Sequence, residues 1–536
     1  MTTFAGHIVD VLRRRIFEGE IVVREGVIAQ IRACTLPGEG AFPYILPGFI
    51  DSHVHIESSM ILPREFARAA VRHGTIGIVS DPHEIANVLG MEGVRYMIGQ
   101  ARQTPFNILF GAPSCVPCCP PEVETSGARL DVEEVTELLA MKEVGYLSEM
   151  MNYVGVLGGD PEVMAKIEAA QKAGKPVDGH APGLLRLLRQ QYAGAGITTD
   201  HECSSLEEGY SCVESCMMVM IREGSAARNY QALMPLIEEY PDLVMFCTDD
   251  YNPDELLTGH IDRHVRWALA RDYTLWNVLQ AACVNPQRHY GVNWGLLRPG
   301  DPATFILTDS LLPGFNILQT VLKGRVAFPA EGEKPREEAP LPNRFVARPI
   351  TEEDIRTDVT PGLAQPVIVA TDGSLFTRHQ KMQVQGEQVQ KIVVYNRYQE
   401  GAKPVTGFVC GFHMAHGAMA SSVAHDCHNI VAVGASDQEI VRAINRVIEM
   451  RGGLVAIAGE QTADLPLPIA GLMSPLPVEE VAQRSQALYE VVWKAGCRMA
   501  APFITLSFMC LPVIPELKIT DRYLWDSIRM KPVTRP

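Results

Sequence analysis

The sequence predicts an α/β protein: a (β/α)8 TIM-like barrel with a split small β-sandwich domain and a C-terminal α+β domain. Three observations carry that expectation. Between residues 46 and 290, eight short apolar runs alternate with amphipathic stretches. Strand-like segments flank this region on both sides, at 1–45 and 291–335. Past a Pro- and Glu-rich stretch, residues 345–536 mix strand-like runs with two amphipathic helical segments.

Each element has its own signal. HIVDVL and GEIVVREGVIAQI alternate apolar and polar residues around Gly, the period-two pattern of half-buried strands. The pattern returns in PGDPATFILTD and ILQTVLKGRVAF after residue 298, so the two flanks are expected to build one sheet domain. The eight middle runs are ILPGFIDSHVH (45–55), TIGIVS (75–80), FNILFG (106–111), YLSEM (146–150), PVDGH (176–180), ITTDH (197–201), MMVMI (217–221) and LVMFCTDD (243–250). Helix candidates such as 131–143, 161–173, 183–192 and 227–239 lie between them. Eight such units over about 245 residues fit a barrel in number and size. A doubly wound sheet would carry a Gly-rich fingerprint after its first strand, and none is present. PAEGEKPREEAPLPNR (329–344) reads as a linker. Beyond it, PVIVATDG, QKIVVYNRY, NIVAVGA and GLVAIAG read as strands, and 437–450 and 478–495 as helices.

The 536 residues carry a formal charge of −16. Phosphate neutralisation needs clustered Lys and Arg, so the balance argues against a nucleic-acid partner and gives no support for an anionic membrane surface. There is no run of about 18 apolar residues, so no spanning helix is expected. The opening MTTFAGHIVDVLRRR lacks a signal h-region. The 13 Cys are scattered among apolar stretches rather than spaced as a disulfide frame, which points to a reducing cytoplasm. A cytoplasmic enzyme acting on a small molecule is expected, assembled as a homo-oligomer.

In a barrel, active-site residues sit where strands end. The first run ends on Asp51, His53, His55 and Glu57, the fourth on Glu149, the fifth on His180, the sixth on His201 and the eighth on Asp249 and Asp250. Alternate residues of a strand face the same way, so the two imidazoles of HVH can grip one ion together. His53, His55, Glu149, His180, His201 and Asp249 offer four imidazoles and two carboxylates, a set suited to one or two divalent ions of the Zn, Mn or Fe type. A central-strand carboxylate is the natural bridge between two ions. Two ions about 3.5–4 Å apart can share a hydroxide and lower the pKa of water from about 15.7 toward about 7. Asp249 would orient that water and carry its proton to a leaving group.

PGFIDSHVHIESSM resembles the opening of the amidohydrolase superfamily, and IESSM narrows the likeness to adenine deaminases. It continues through VSDPHEIANVLG (79–90), APSCVP (112–117), EMMNYVGV (149–156), DGHAPGL (178–184), TDHECSSLEE (199–208), MIREGSAARN (220–229) and CTDDYNPDELLTGHID (247–262). It resumes in AHGAMASSVAHDCHNIVAVGASD (415–437) and LPLPIAGLMS (465–474). The resemblance implies hydrolysis of adenine to hypoxanthine and ammonia at two divalent ions, manganese first and iron or zinc next. On it, His53 and His55 match the barrel HxH ligands, Glu149 the bridging carboxylate, His180 and His201 the later histidines, and Asp249 the last-strand aspartate. The short segment before PGFID, the looser AACVNPQRHYG (281–291) and the run Cys115, Cys118, Cys119 depart from the family pattern.

Adenine deamination also needs ring-nitrogen protonation and recognition of the purine edge. Near other strand ends, His83, Ser114, Arg222 and Ser225 are candidate substrate contacts, and Glu84 and Glu223 candidate acids beside Asp249. For Ser225 the competing role is an N-cap. His260 and His264 stand four apart on a helix; His264 is expected on its surface and His260 as a loop contact near the site. HDCHN (425–429) fits a second metal site, a cap on the barrel mouth or a buried polar network. His55-Ile56-Glu57 with Cys115 and Cys118 only weakly matches the zinc nucleoside deaminases, because Ser114 rather than Pro precedes Cys115. The Cys run itself fits either buried thiols or a soft-metal site. No G-x-S-x-G elbow and no Walker loop is present. The competing functions are a related hydrolase of an N6-substituted adenine or a cyclic amide, and a catalytically dead binding protein.

Overall fold

The computed structural model describes residues 1–36, 41–329, 339–360, 362–372, 374–384 and 388–533. Residues 330–338, most of the expected linker, lie outside the described residues.

All eight expected runs form strands of one barrel. In chain order they are Phe49–His55, Thr75–Ser80, Asn107–Ala112, Val144–Met150, Val177–Gly179, Thr199–Asp200, Met218–Arg222 and Val244–Cys247, the last continued by Asp249–Asp250. The first five pair side by side and in parallel. The sixth, seventh and eighth do the same. A parallel bridge from Val177 to Ile197 joins the two groups. Asp249 and Asp250 pair with Val54 and His55, which closes the ring. Strands buried on both faces read as continuous apolar runs, and Thr75–Ser80 is buried at every residue. Helices cover the outside. Two of them start at side-chain caps: Asp131 forms a reciprocal box with Glu134, and the Ser205 hydroxyl accepts from the Glu208 backbone N–H.

The register breaks at two places that matter later. The first strand slips against the second between Asp51 and Val54, and the fourth against the fifth between Leu147 and Met150. Such irregularities bend a strand and re-aim its side chains. Here they flank His53 and Glu149.

The flanking segments form one seven-stranded sheet, in which Tyr44–Leu46 lies between Thr2–Asp10 and Phe305–Thr308. The sheet curls on itself until the Ile28 N–H donates to the Asp301 carbonyl at 2.9 Å and the Ala303 N–H to that of Gly26 at 2.8 Å. Its own small core includes Ile8, Ile21, Ile28, Ile45 and Phe305.

The C-terminal region is a mixed eight-stranded sheet between Gln365 and Pro466. Along Val389–Tyr395 the residues alternate between two cores. Val393 and Tyr395 face helix Asp437–Met450, while Ile392 and Val394 join the large core shared with the barrel. Helix Val478–Lys494 lies between this sheet and the barrel helix Pro253–Thr258. Ser474 donates its N–H to the Met60 carbonyl at 2.9 Å, tying the region to the loop after the first barrel strand. Among the described residues no helix is long and apolar enough to cross a membrane.

One expectation is corrected. His264 is buried, not on a helix surface. Helix Ile261–Leu269 turns Ile261, His264, Val265 and Ala268 inward as one stripe, and the His264 Nε2 meets the Cys247 carbonyl at 3.1 Å. His260 is also buried, with Nε2 2.9 Å from Asp51 Oδ2.

Arg189 holds the turn between the fifth and sixth strands. It is fully buried, pairs with Asp200, and donates to the carbonyls of Ala181 and Leu184 at 3.0 and 3.1 Å. Arg189→Ala leaves the Asp200 charge buried without its partner, so a loss of about 3–5 kcal/mol is expected in denaturant unfolding. Arg102→Ala, which removes only an exposed pair with Glu143, is expected to change stability by less than about 1 kcal/mol.

Candidate metal centre

The first strand presents His53 and His55 on the barrel interior, with ring centroids 4.9 Å apart. His55 is oriented from behind: its Nδ1 lies 3.0 Å from the Asp81 carbonyl, which fixes that nitrogen as the donor and leaves Nε2 facing the cavity. Glu149, at the end of the fourth strand, reaches between two groups of imidazoles. Its Oε1 lies 3.4 Å from His55 Nε2, 4.0 Å from His53 Nε2 and 3.3 Å from His83 Nδ1. Its Oε2 lies 2.7 Å from His180 Nδ1 and 3.3 Å from His201 Nε2. The His53 and His201 rings stack at 4.1 Å.

Asp249 completes the ring of donors. Its Oδ1 lies 3.1 Å from His55 Nε2 and 3.4 Å from His53 Nε2, and its Oδ2 accepts from Arg222 at 2.6 Å. Its backbone has φ 59°, a left-handed conformation that costs a non-glycine residue of order 1–3 kcal/mol and persists only where surroundings enforce it. The pairing of Asp249 with Val54 and the Arg222 contact are two such enforcers.

Burial alone would raise both carboxyls. In Glu149, His180 and His201 outweigh it; in Asp249, Arg222, His53 and His55 do so, and both groups are held well below the usual carboxylate range. Burial lowers His201, but Glu149 and Asp249 lift it to about 9.

The donor set fits divalent ions. His53, His201 and Asp249 bring ligand atoms within 4.8 Å of one another, as do Glu149, His180 and His201, and also His55, Asp81, His83 and Glu149. Both ring nitrogens of His53 are buried with no hydrogen-bond partner, and Nδ1 of His83 and Oδ2 of Asp81, 3.2 Å apart, are buried without well-formed hydrogen bonds. Buried polar atoms are rarely left so without a missing ligand.

The remaining candidates divide. Glu84 is at the cavity, where His425 Nε2 lies 3.0 Å away and His428 also pairs with it. Burial raises Glu84, but His425, His428 and His83 hold it well below its ordinary value. His83 also lines the cavity. Arg222 does not line it but holds the carboxylates of Glu202 and Asp249 together. Ser114 donates to the Glu149 carbonyl at 2.5 Å from behind. Glu223 lies outside the cavity lining, 3.8 Å from Arg228. Ser225 neither lines the cavity nor caps a helix: it accepts from the Asn252 N–H at 2.8 Å and donates to Glu255.

Sequence reasoning missed Glu202, named Asp250 only as a strand end, and left the HDCHN segment among three roles. Glu202 and Asp250 line the cavity one residue beyond His201 and Asp249. Their signal was adjacency to those strand-end residues. From HDCHN, His425 and Asp426 line the cavity with Leu375, Phe508 and Leu511, so the C-terminal domain supplies one wall of it. His425 is itself fixed, with Nδ1 2.6 Å from Ser507 Oγ and its ring stacked at 4.4 Å on Phe508.

Comparison with known proteins agrees with this architecture. The amidohydrolase family profile matches residues 44–327, and the adenine deaminase C-terminal domain profile matches residues 370–531. An adenine deaminase of Salinibacter ruber is 50% identical, covering 99% of this chain and 98% of that protein. One of Methanosarcina mazei is 46% identical, covering 98% of each chain. One of a Sulfurovum species is 48% identical, covering 97% of this chain and 96% of that one. A barrel ringed by histidines and roofed by a second domain, matched along nearly its whole length at such identity, belongs to the adenine deaminase family of amidohydrolases.

Proposed function

We propose that this chain hydrolyses adenine to hypoxanthine and ammonia, with two divalent ions held by His53, His55, Glu149, His180, His201 and Asp249. One observation carries the reading: the two oxygens of Glu149 face two different histidine groups, as a carboxylate shared by two cations requires. The names of the near-full-length relatives support adenine as substrate. Imidazole and carboxylate donors suit manganese, iron or zinc, and manganese is the ion we propose. The thirteen free cysteines favour a reducing cytoplasm.

The bound ions supply an activated water at neutral pH. The chain's own groups do the rest. Asp249 takes the proton from the attacking water and passes it to the ring nitrogen or the departing amine, and Arg222 keeps that carboxylate aimed. Glu84, held between His83, His425 and His428, is the second acid–base group. Adenine presents an N6 amine donor and an N7 acceptor. Glu202, Asp250 and Asp426 offer acceptors to the amine, and His83 and His425 offer donors to ring nitrogens. Met151, Phe508 and Leu511 pack on the flat base and exclude water.

The test is direct. Protein reconstituted with Mn²⁺ is expected to release ammonia from adenine with the ultraviolet change to hypoxanthine; release from a hydantoin or dihydroorotate but not from adenine overturns the reading. N6-methyladenine added in parallel tests tolerance of one methyl. Asp249→Asn is expected to lose about 10²–10⁴-fold in kcat while keeping its metal, checked by elemental analysis. Near-normal turnover in that variant contradicts its role. Glu149→Gln is expected to bind less metal than the parent, and unchanged occupancy contradicts the shared ligand.

A further inference from the structure

A second cluster of ligand-type side chains lies outside the catalytic donor set. The loop after the third barrel strand carries Cys118, Cys119 and Glu124, which bring one ligand atom each within 4.8 Å of one another. The Cys118 thiol lies 3.3 Å from Glu124 Oε1. Cys427, at the centre of HDCHN in the C-terminal domain, lies beside the same carboxyl and interacts with it. All four side chains are buried. Cys115, in the same loop, turns away toward Met150 Sδ at 3.8 Å.

Thiols are weak hydrogen-bond partners, so a buried carboxyl among them is poorly solvated. Burial, reinforced by Asp426, pushes Glu124 up to about 8. The loop that carries it is already docked on its partner. The Thr125 N–H donates to Asp521 at 2.8 Å, Thr520 Oγ1 to the Val123 carbonyl at 2.7 Å, and Asn429 Nδ2 to the Thr125 carbonyl at 2.9 Å. The four groups are therefore pre-positioned from two domains rather than brought together by chance flexibility.

We propose that Cys118, Cys119, Glu124 and Cys427 form a binding site for one soft divalent cation of the zinc type, separate from the catalytic ions. Three thiolates and one carboxylate make four ligands, the number a closed structural zinc site takes. Binding displaces the three thiol protons and any carboxyl proton to solvent. The cation clips the barrel loop to the segment whose His425 and Asp426 line the cavity. It thereby fixes the roof of the site without touching substrate.

Cobalt distinguishes the two kinds of site, because the catalytic donors are imidazole and carboxylate and only thiolates give an intense sulfur-to-cobalt charge-transfer band. Full-length protein loaded with Co²⁺ is expected to show that band. Cys427→Ser and the double variant Cys118→Ser/Cys119→Ser are expected to lose it, and Cys216→Ser, at an exposed thiol, to keep it. Zinc-grown parent is expected to hold about one more zinc per chain than either of the first two variants. Absence of the band in the folded parent, or its survival in the double variant, overturns the proposal. So does a mapped disulfide joining Cys427 to Cys118 or Cys119 in the unreduced parent.

Discussion

The site depends on a charged carboxylate that is almost wholly buried, Glu149. An isolated buried anion is costly, and it is stable only when partners replace its hydration. Glu149 meets that condition with imidazoles on both of its oxygens. Those imidazoles come from the first, second, fifth and sixth barrel units and the carboxylate from the fourth, so satisfying one side chain fixes the relative position of more than half the barrel. The register slips beside His53 and Glu149 follow from the same requirement, since regular pairing would aim the side chains elsewhere.

The opposite wall obeys a different constraint. Asp249 must point inward from a strand that has just ended, and it does so in a left-handed backbone conformation. Arg222 then neutralises two carboxylates at once, those of Asp249 and Glu202, and keeps them from repelling each other. The C-terminal domain supplies the third wall. Its two HDCHN imidazoles converge on Glu84, so a residue of the second barrel unit is positioned from outside the barrel.

Much of this was legible in the sequence because the informative rules are local. The HxH pair relies on strand alternation, and Glu149, His180, His201 and Asp249 each close an apolar run, so one rule about strand ends finds all of them. The rule then overreaches. Ser114, Glu223 and Ser225 also follow apolar runs, but a polar residue there serves equally well as a partner for the backbone or for a neighbouring side chain, and their contacts are of those kinds. Polarity places His264 on the helix surface, but the stripe it forms with Ile261, Val265 and Ala268 turns it inward. The HDCHN cluster stands out in the sequence, but what His425 and His428 meet has no local signal. Their partner Glu84 lies more than three hundred residues earlier, and no periodicity spans that distance.

That separation has a consequence during synthesis. The ribosome releases His55 long before His428, and at about 5–20 residues per second the interval is on the order of 20–75 s. A nascent barrel that closed early would hold its imidazoles and carboxylates together under an open mouth. Its Glu84 would lack both of its later partners, and the apolar surface awaiting the C-terminal sheet would be bare. On that route the pocket would mature in two stages, the second complete only once the segment through Leu511 has been made and folded.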